Sequence, residues 1–297
     1  MESVLIVGCG HIGRLVAERL HSRGQRVTGV VRTPASAGRL RELGIEALCF
    51  DLDAGVPALL EGARYDGICY FAPPPPTGTR DTRMRAFLHV LGKPPPPRRI
   101  VYISTSAVYG DCRGEWITEA QPARPDTERG ARRLDAERGL QDWAACHGVE
   151  WVILRVPGIY GPGRLPLARL RQGLPVLRGA DAPYTNRIHA EDLANVCVAA
   201  LDTVHNDTVY NVSDGHPSTM TDYFFRVADA AGLPQPPVVD REQAGEVLSE
   251  GMLSFLQDSR RMDNRKLLEE LAVTLCYPDL ESGLRACFPD RSASDRS

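Results

Sequence analysis

Short unbroken apolar runs alternate with amphipathic stretches over the first half of the chain. The runs fall at residues 4–7, 26–31, 45–50, 67–72, 99–103 and 150–155. Each has the length and content of a strand buried on both faces of a parallel sheet. Between them, apolar residues recur at helical spacing. Ile12, Leu15, Val16 and Leu20 mark the first helix, and further helices are predicted over 34–43, 81–91 and 126–146. Strict alternation of strand and helix predicts an α/β fold, a doubly wound parallel sheet of the Rossmann kind. Beyond residue 155 the pattern breaks up. A short apolar helix is predicted at 192–201, a late strand at 208–212, and helices at 221–231 and near 264–272. This part reads as a smaller C-terminal substrate lobe closing over the strand ends.

The first apolar run ends in Gly8-Cys9-Gly10-His11-Ile12-Gly13, which reads G-x-G-x-x-G between a strand and a helix. Gly8 permits the tight turn, and Gly10 lets the backbone approach a pyrophosphate. Gly13 lets helix and strand pack closely, and the helix N-terminus offers free N–H groups to an anion. The alternative is an ordinary tight turn. The dinucleotide reading divides the chain into an NAD(P)-binding core at 1–165, a mixed region at 166–289 that completes the sheet and forms the lobe, and a polar tail at 290–297.

Other strand ends extend the candidate cofactor site. Arg32 follows the second strand, where NAD-preferring sites carry an acidic residue; arginine there accommodates a 2′-phosphate. NADP is therefore expected in preference to NAD. Asp51, with Leu52, closes the third strand and is read as a contact to adenine, or else as a cap of the next turn. Ala72 and Pro73 open the loop 73–78, whose four prolines lack N–H donors and make it stiff. Ser104 and Thr105 place hydroxyls at the end of the fifth strand, where a carbonyl or alcohol could be held. Pro157 lies just past the sixth strand. His11 and Ile12, inside the glycine turn, complete the cofactor set read from the strand ends.

Composition narrows the classes without adding chemistry. The 297 residues are 43% apolar with a formal charge of −3, which points to no nucleic-acid surface. Eight cysteines form no C-x-x-C pair and no paired metal spacing, so no metal is expected and reduced thiols in a cytoplasmic protein are. No apolar run approaches a membrane span.

The glycine turn, Ser104-Thr105-Ser106-Ala107-Val108-Tyr109-Gly110, the stretch from Arg155 to Gly163, Arg187-Ile188-His189-Ala190-Glu191-Asp192 and Tyr210-Asn211-Val212 occur in one order along the chain. Together they resemble an atypical extended short-chain dehydrogenase/reductase of the nucleotide-sugar epimerase/dehydratase kind. The resemblance implies a nicotinamide dinucleotide, a small-molecule substrate such as a nucleotide-sugar or another carbonyl or alcohol, and a homodimer formed through helices flanking the sheet. It also implies a reaction centre of Tyr-x-x-x-Lys on the helix after the fifth strand, with Ser or Thr on that strand. With Glu137 aligned to the family's helix glutamate, Arg129 stands at the Tyr position, Arg133 at the Lys position and Thr105 at the Ser/Thr position. Guanidinium stays protonated and accepts no proton, so Arg129 cannot replace a tyrosine acid or base. It can bind an oxyanion or phosphate. Arg133 can bond a nicotinamide ribose. Two readings follow: an NADP-dependent oxidoreductase or epimerase-like enzyme with a non-standard site built on Thr105, Arg129 and Arg133, or a dinucleotide-binding sensor or scaffold without turnover.

Overall fold

The computed structural model describes residues 1–57, 60, 63–92, 95–249, 251, 253 and 256–288. The tail at 290–297 lies outside the described residues, as does Pro94, the first of four consecutive prolines at 94–97. The first half runs β1 (Ser3–Val7), α1 (His11–Ser22), β2 (Arg26–Val31), α2 (Pro34–Glu42), β3 (Glu46–Cys49), β4 (Gly67–Tyr70), α3 (Thr82–Leu91) and β5 (Arg99–Thr105). A short strand β6 (Trp116–Ile117), the long helix α4 (Glu128–His147) and β7 (Glu150–Val156) follow. The second half adds β8 (Gly158–Tyr160), α5 (Leu167–Arg171), β9 (Val176–Leu177), β10 (Tyr184–Thr185), β11 (Arg187–His189), α6 (Ala190–Asp202), β12 (Thr208–Asn211), β13 (Ser218–Thr219) and α7 (Met220–Ala231). Helices Arg265–Leu271 and Leu280–Cys287 come near the end.

Seven strands form one sheet in the order β12-β7-β5-β4-β1-β2-β3, and every pairing is parallel. The predicted doubly wound sheet is therefore the fold. Its order reverses between β1 and β4, the switch point where such sheets bind ligands at their carboxyl edge. Layers of apolar side chains cover both faces. Leu15, Val16 and Leu20 of α1 pack with Leu193, Cys197 and Leu201 of α6 on one side. Met84, Phe87 and Leu88 of α3 pack with Ala136, Leu140 and Ala144 of α4 on the other.

The last sheet strand, β12, comes from residues 208–211 and pairs with β7, Tyr210 opposite Leu154. Helix α4 starts at the N-cap Thr127, whose hydroxyl accepts from Gly130 N at 3.1 Å, and stops at Gly148 in the left-handed region. A small separate core of Tyr160, Leu170, Val176, Tyr223, Phe224, Val227, Leu280 and Leu284 holds the second-half helices together beside the strand ends. All eight cysteines are free thiols. Among the described residues no helix is long and apolar enough to cross a membrane.

Candidate active site

The glycine turn sits at the switch point. Gly8 has φ +85°, and a Cβ there would come within 2.5 Å of Ala72 N, so only glycine fits. A Cβ on Gly13 would lie 3.0 Å from Gly8 O and 3.2 Å from Ile6 Cγ2, which is the close helix–strand packing expected of it. A Cβ on Gly10 would meet nothing nearer than 4.0 Å, so its face is open. The first helical bond runs from Arg14 N to Gly10 O, leaving the N–H groups of His11, Ile12 and Gly13 without helical acceptors. No side chain caps this end and no acidic residue occupies the first turn. The turn thus fits a pyrophosphate.

A cavity of about 280 Å³ opens in front of it, lined by Gly8, Cys9, Gly10, Val31, Arg32, Thr33, Ser36, Phe50, Asp51, Leu52, Ala72, Pro73 and Arg83, among others. Seven of the expected cofactor residues meet here: Gly8, Gly10, Arg32, Asp51, Leu52, Ala72 and Pro73. Asp51 also caps the short turn 52–54 by accepting from Asp53 N at 3.0 Å, so both roles weighed for it are geometrically open. Burial pushes the Cys9 thiol up to about 12, which keeps it protonated on the cavity wall.

Arg83 is one residue of this cavity that the sequence did not reveal. It is buried, donates to both oxygens of Asp53 at 2.6 and 2.5 Å, and donates to the carbonyls of Pro73 and Pro74 at 2.9 and 3.2 Å. One guanidinium thus clamps the proline loop to the turn after β3. Its hydrogen bonds to Asp53 hold that carboxyl below the usual range. Nothing local to α3 signals this, because Asp53 lies 30 positions away.

A second cavity, about 440 Å³, lies at the ends of β5 and β7. Thr105, Arg129 and Pro157 line it, with Ala107, Asn186, Arg187, Tyr223, Phe224, Asp258 and Arg260. Thr105 Oγ1 accepts from Ala107 N at 3.3 Å and begins the turn 106–109. Loss of water lowers the pKa of Arg129, with Asp258 opposing and Arg260 adding to the effect.

His11, Ile12, Gly13, Ser104 and Arg133 line neither cavity. Ser104 is buried and donates to Glu137. Glu137 also accepts from Arg155 at 2.7 and 3.2 Å, and Arg155 stacks over Tyr109 at 4.6 Å. The Ser104 hydroxyl is therefore spent inside the α4–β7 seam. Arg133 donates to Ile103 O at 2.8 Å and to Tyr102 Oη at 3.3 Å, bracing α4 on β5. Tyr109 donates to Asn211 Oδ1 at 2.7 Å, and burial lifts its pKa to about 12. Tyr160 donates to Asp279 O at 3.1 Å, and His189 Nδ1 accepts from Glu191 N at 3.3 Å. Both are fully buried.

The model of the NAD dependent epimerase/dehydratase family matches residues 4–213. The chain belongs to that family. Escherichia coli Protein YeeZ is 26% identical over 291 residues, covering 94% of this chain and 97% of that protein. A solved structure from Silicibacter pomeroyi, described as a functionally unknown conserved protein, is 30% identical with TM-score 0.83, covering 98% of this chain and 99% of that one. MoeE5 in complex with UDP-glucose and NAD superposes with TM-score 0.74 at 22% identity, covering 98% and 99% of the two chains. Within the epimerase/dehydratase frame, Arg129 and Arg133 occupy the first and second turns of α4, the stretch on which the resemblance places Tyr and Lys. Arg129 faces the second cavity and Arg133 turns to the strand.

Proposed function

We propose that this chain binds a nicotinamide dinucleotide along the switch point, NADP in preference to NAD, and acts as an oxidoreductase or epimerase-like enzyme on an alcohol or carbonyl held in the second cavity. The observation that carries the reading is the uncapped, acid-free N-terminus of α1 behind Gly8 and Gly10, opening on the first cavity. A bound dinucleotide would supply hydride donation or acceptance. The protein's own part is orientation and charge. Gly8 and Gly10 admit the pyrophosphate, and Asp51, Leu52 and Ala72 wall the adenosine end. Thr105 offers a hydroxyl to substrate oxygen, and Arg129 a fixed positive charge for an oxyanion.

The preference for NADP is supported by the corner after β2. Arg32, Thr33 and Ser36 line the cavity together, Arg39 Nη2 donates to Ser36 Oγ at 3.0 Å, and Thr33 caps α2. Two guanidinium groups, two hydroxyls and a helix N-terminus suit a phosphate monoester. MoeE5 binds NAD and UDP-glucose, which supports a nicotinamide dinucleotide and makes nucleotide-sugars the first substrates to try. A homodimer through the helices flanking the sheet remains part of the proposal.

The test is titration of NADPH and NADH into wild type and Arg32→Asp. The substitution is expected to weaken NADPH roughly tenfold to a hundredfold and NADH little; equal losses would remove the 2′-phosphate assignment. In the same preparations Thr105→Ala should abolish turnover of a nucleotide-sugar and carbonyl panel while leaving NADPH affinity intact. Tight NADPH binding with no turnover by wild type across that panel would favour a sensor.

A further inference from the structure

Arg83 reaches the first cavity from the first turn of α3, and what it holds there is a charge. Its side chain is 10% exposed and that of Asp53 is 52% exposed, so the guanidinium is inside and the carboxylate half in water. Nε and Nη2 fork onto the two Asp53 oxygens at 2.6 and 2.5 Å, the bidentate geometry in which guanidinium and carboxylate offset each other best. Nη1 is spent on the carbonyls of Pro73 and Pro74. With these four bonds made, little of the guanidinium is left to grip a ligand, although the residue lines the cavity. Its effect on a bound molecule runs through what it holds.

Asp53 stands where its charge matters. It follows Asp51 and Leu52 on the turn after β3, and both of those line the cavity together with Arg32. Strands β2 and β3 are neighbours in the sheet, with Val31 opposite Cys49, which sets the corner carrying Arg32 alongside the turn carrying Asp53. The hydrogen bonds from Arg83 are the chief cause holding the Asp53 carboxyl below its usual range, and the Arg32 charge adds to them. Arg32 and Asp53 are thus within each other's field. A bare Asp53 would repel a phosphate at that corner and offset part of the Arg32 charge. Paired with Arg83, it presents little net charge to either. Helix α3 does not need the pair for its own start, because Asp81 caps it by accepting from Met84 N at 3.0 Å.

We infer that Arg83 is a specificity-determining residue of the dinucleotide site: by neutralising Asp53 it lets the corner after β2 accept a 2′-phosphate. This deepens the NADP assignment made above and rests on it. The residue acts through Asp53 and not on the cofactor, so its signature is the ratio of the NADPH and NADH affinities. The other duty of the same side chain, holding the proline loop, bears on both cofactors alike and cancels in that ratio.

Fluorescence titration of NADPH and NADH into the full chain and its variants, at about 20 mM and about 500 mM salt, tests the inference. Arg83→Met should lower the NADPH-to-NADH affinity ratio about threefold to tenfold at the low salt, and the drop should shrink at the high salt, where ions screen the bared carboxylate. Adding Asp53→Asn should bring the ratio back to within about twofold of wild type. Arg83→Lys keeps the positive charge and should leave the ratio within about twofold, even as the lost fork weakens both cofactors. Should the methionine variant not fold, Arg83→Gln, which keeps a donor for the proline carbonyls, carries the same expectation. Equal losses of NADPH and NADH in Arg83→Met, a drop undiminished at high salt, or a drop that Asp53→Asn leaves in place would overturn the inference and reduce Arg83 to a brace of the loop. Arg32→Asp is titrated in the same series. A ratio moved by Arg83→Met and not by Arg32→Asp removes the assignment of the 2′-phosphate to Arg32 alone. A ratio moved by Arg32→Asp and not by Arg83→Met removes this inference alone.

Discussion

Asp214 shows how a single buried group sets a pH dependence. The residue is 4% exposed, its Oδ1 accepts from His216 N at 2.9 Å, and its Oδ2 has no hydrogen bond. Burial raises its pKa from the ordinary 3.8 to about 6. The folded state therefore prefers the neutral form. The stability contributed by that form is complete below about pH 3.8 and is lost as pH rises through about 6. Asp214→Asn keeps the accepting oxygen and removes the charge. It should unfold at higher urea than wild type at pH 7, by about 1–3 kcal/mol, and at nearly the same urea at pH 4. Equal stability gains at both pH values would refute the burial argument. The residues that sequence reasoning missed share one property, which is distance along the chain. Arg83 meets Asp53 across 30 positions, and Arg260 meets Gly110 across 150. No local spacing signals such a contact, so an isolated arginine on a helix reads as a solvated charge. Gly8 and Gly10 were legible because their roles are set by immediate neighbours.

Helix α4 carries the difference between expectation and geometry at the scale of an element. Its existence, cap and length follow from Thr127, Gly148 and the spacing of Leu134, Leu140 and Ala144. Its rotation does not follow, because mean charge is high and the apolar stripe is thin. The structure fixes that rotation through a buried ion pair. Arg155 of β7 is paired with Glu137, both nine-tenths or more buried, and Ser104 of β5 adds a third partner. The same rotation aims Arg129 at the second cavity and folds Arg133 onto β5. Arg155→Met leaves the Glu137 charge buried with only a hydroxyl, and should cost about 3–5 kcal/mol in a denaturant titration. Adding Glu137→Met should recover much of that loss. A single substitution costing under about 1 kcal/mol would mean that packing alone seats α4. The strands were easier to read than the helix faces, since runs such as Val4–Val7 are buried on both sides and leave no face to choose.

Across the whole molecule, the order of the chain and the order of the sheet diverge at one place. The alternation that predicts six strands ends at β7, yet β7 is not an edge, because β12 lies beside it. The late strand was visible at 208–212, but its partner was not, since pairing is a matter of topology and not of local pattern. A fragment ending at residue 165 would leave β7 with an unpaired edge, apolar at every position but Glu150 and Arg155. It should be recovered as aggregate under conditions in which the full chain stays in solution; a monomeric, cooperatively melting fragment would contradict this. The same feature has a consequence in time. During synthesis β7 is complete at residue 156 and β12 only at residue 211. At roughly 5–20 residues per second the ribosome leaves that flank unguarded for several seconds. During that interval the β7 edge is open to pairing with another chain, and slower translation between the two strands lengthens the exposure.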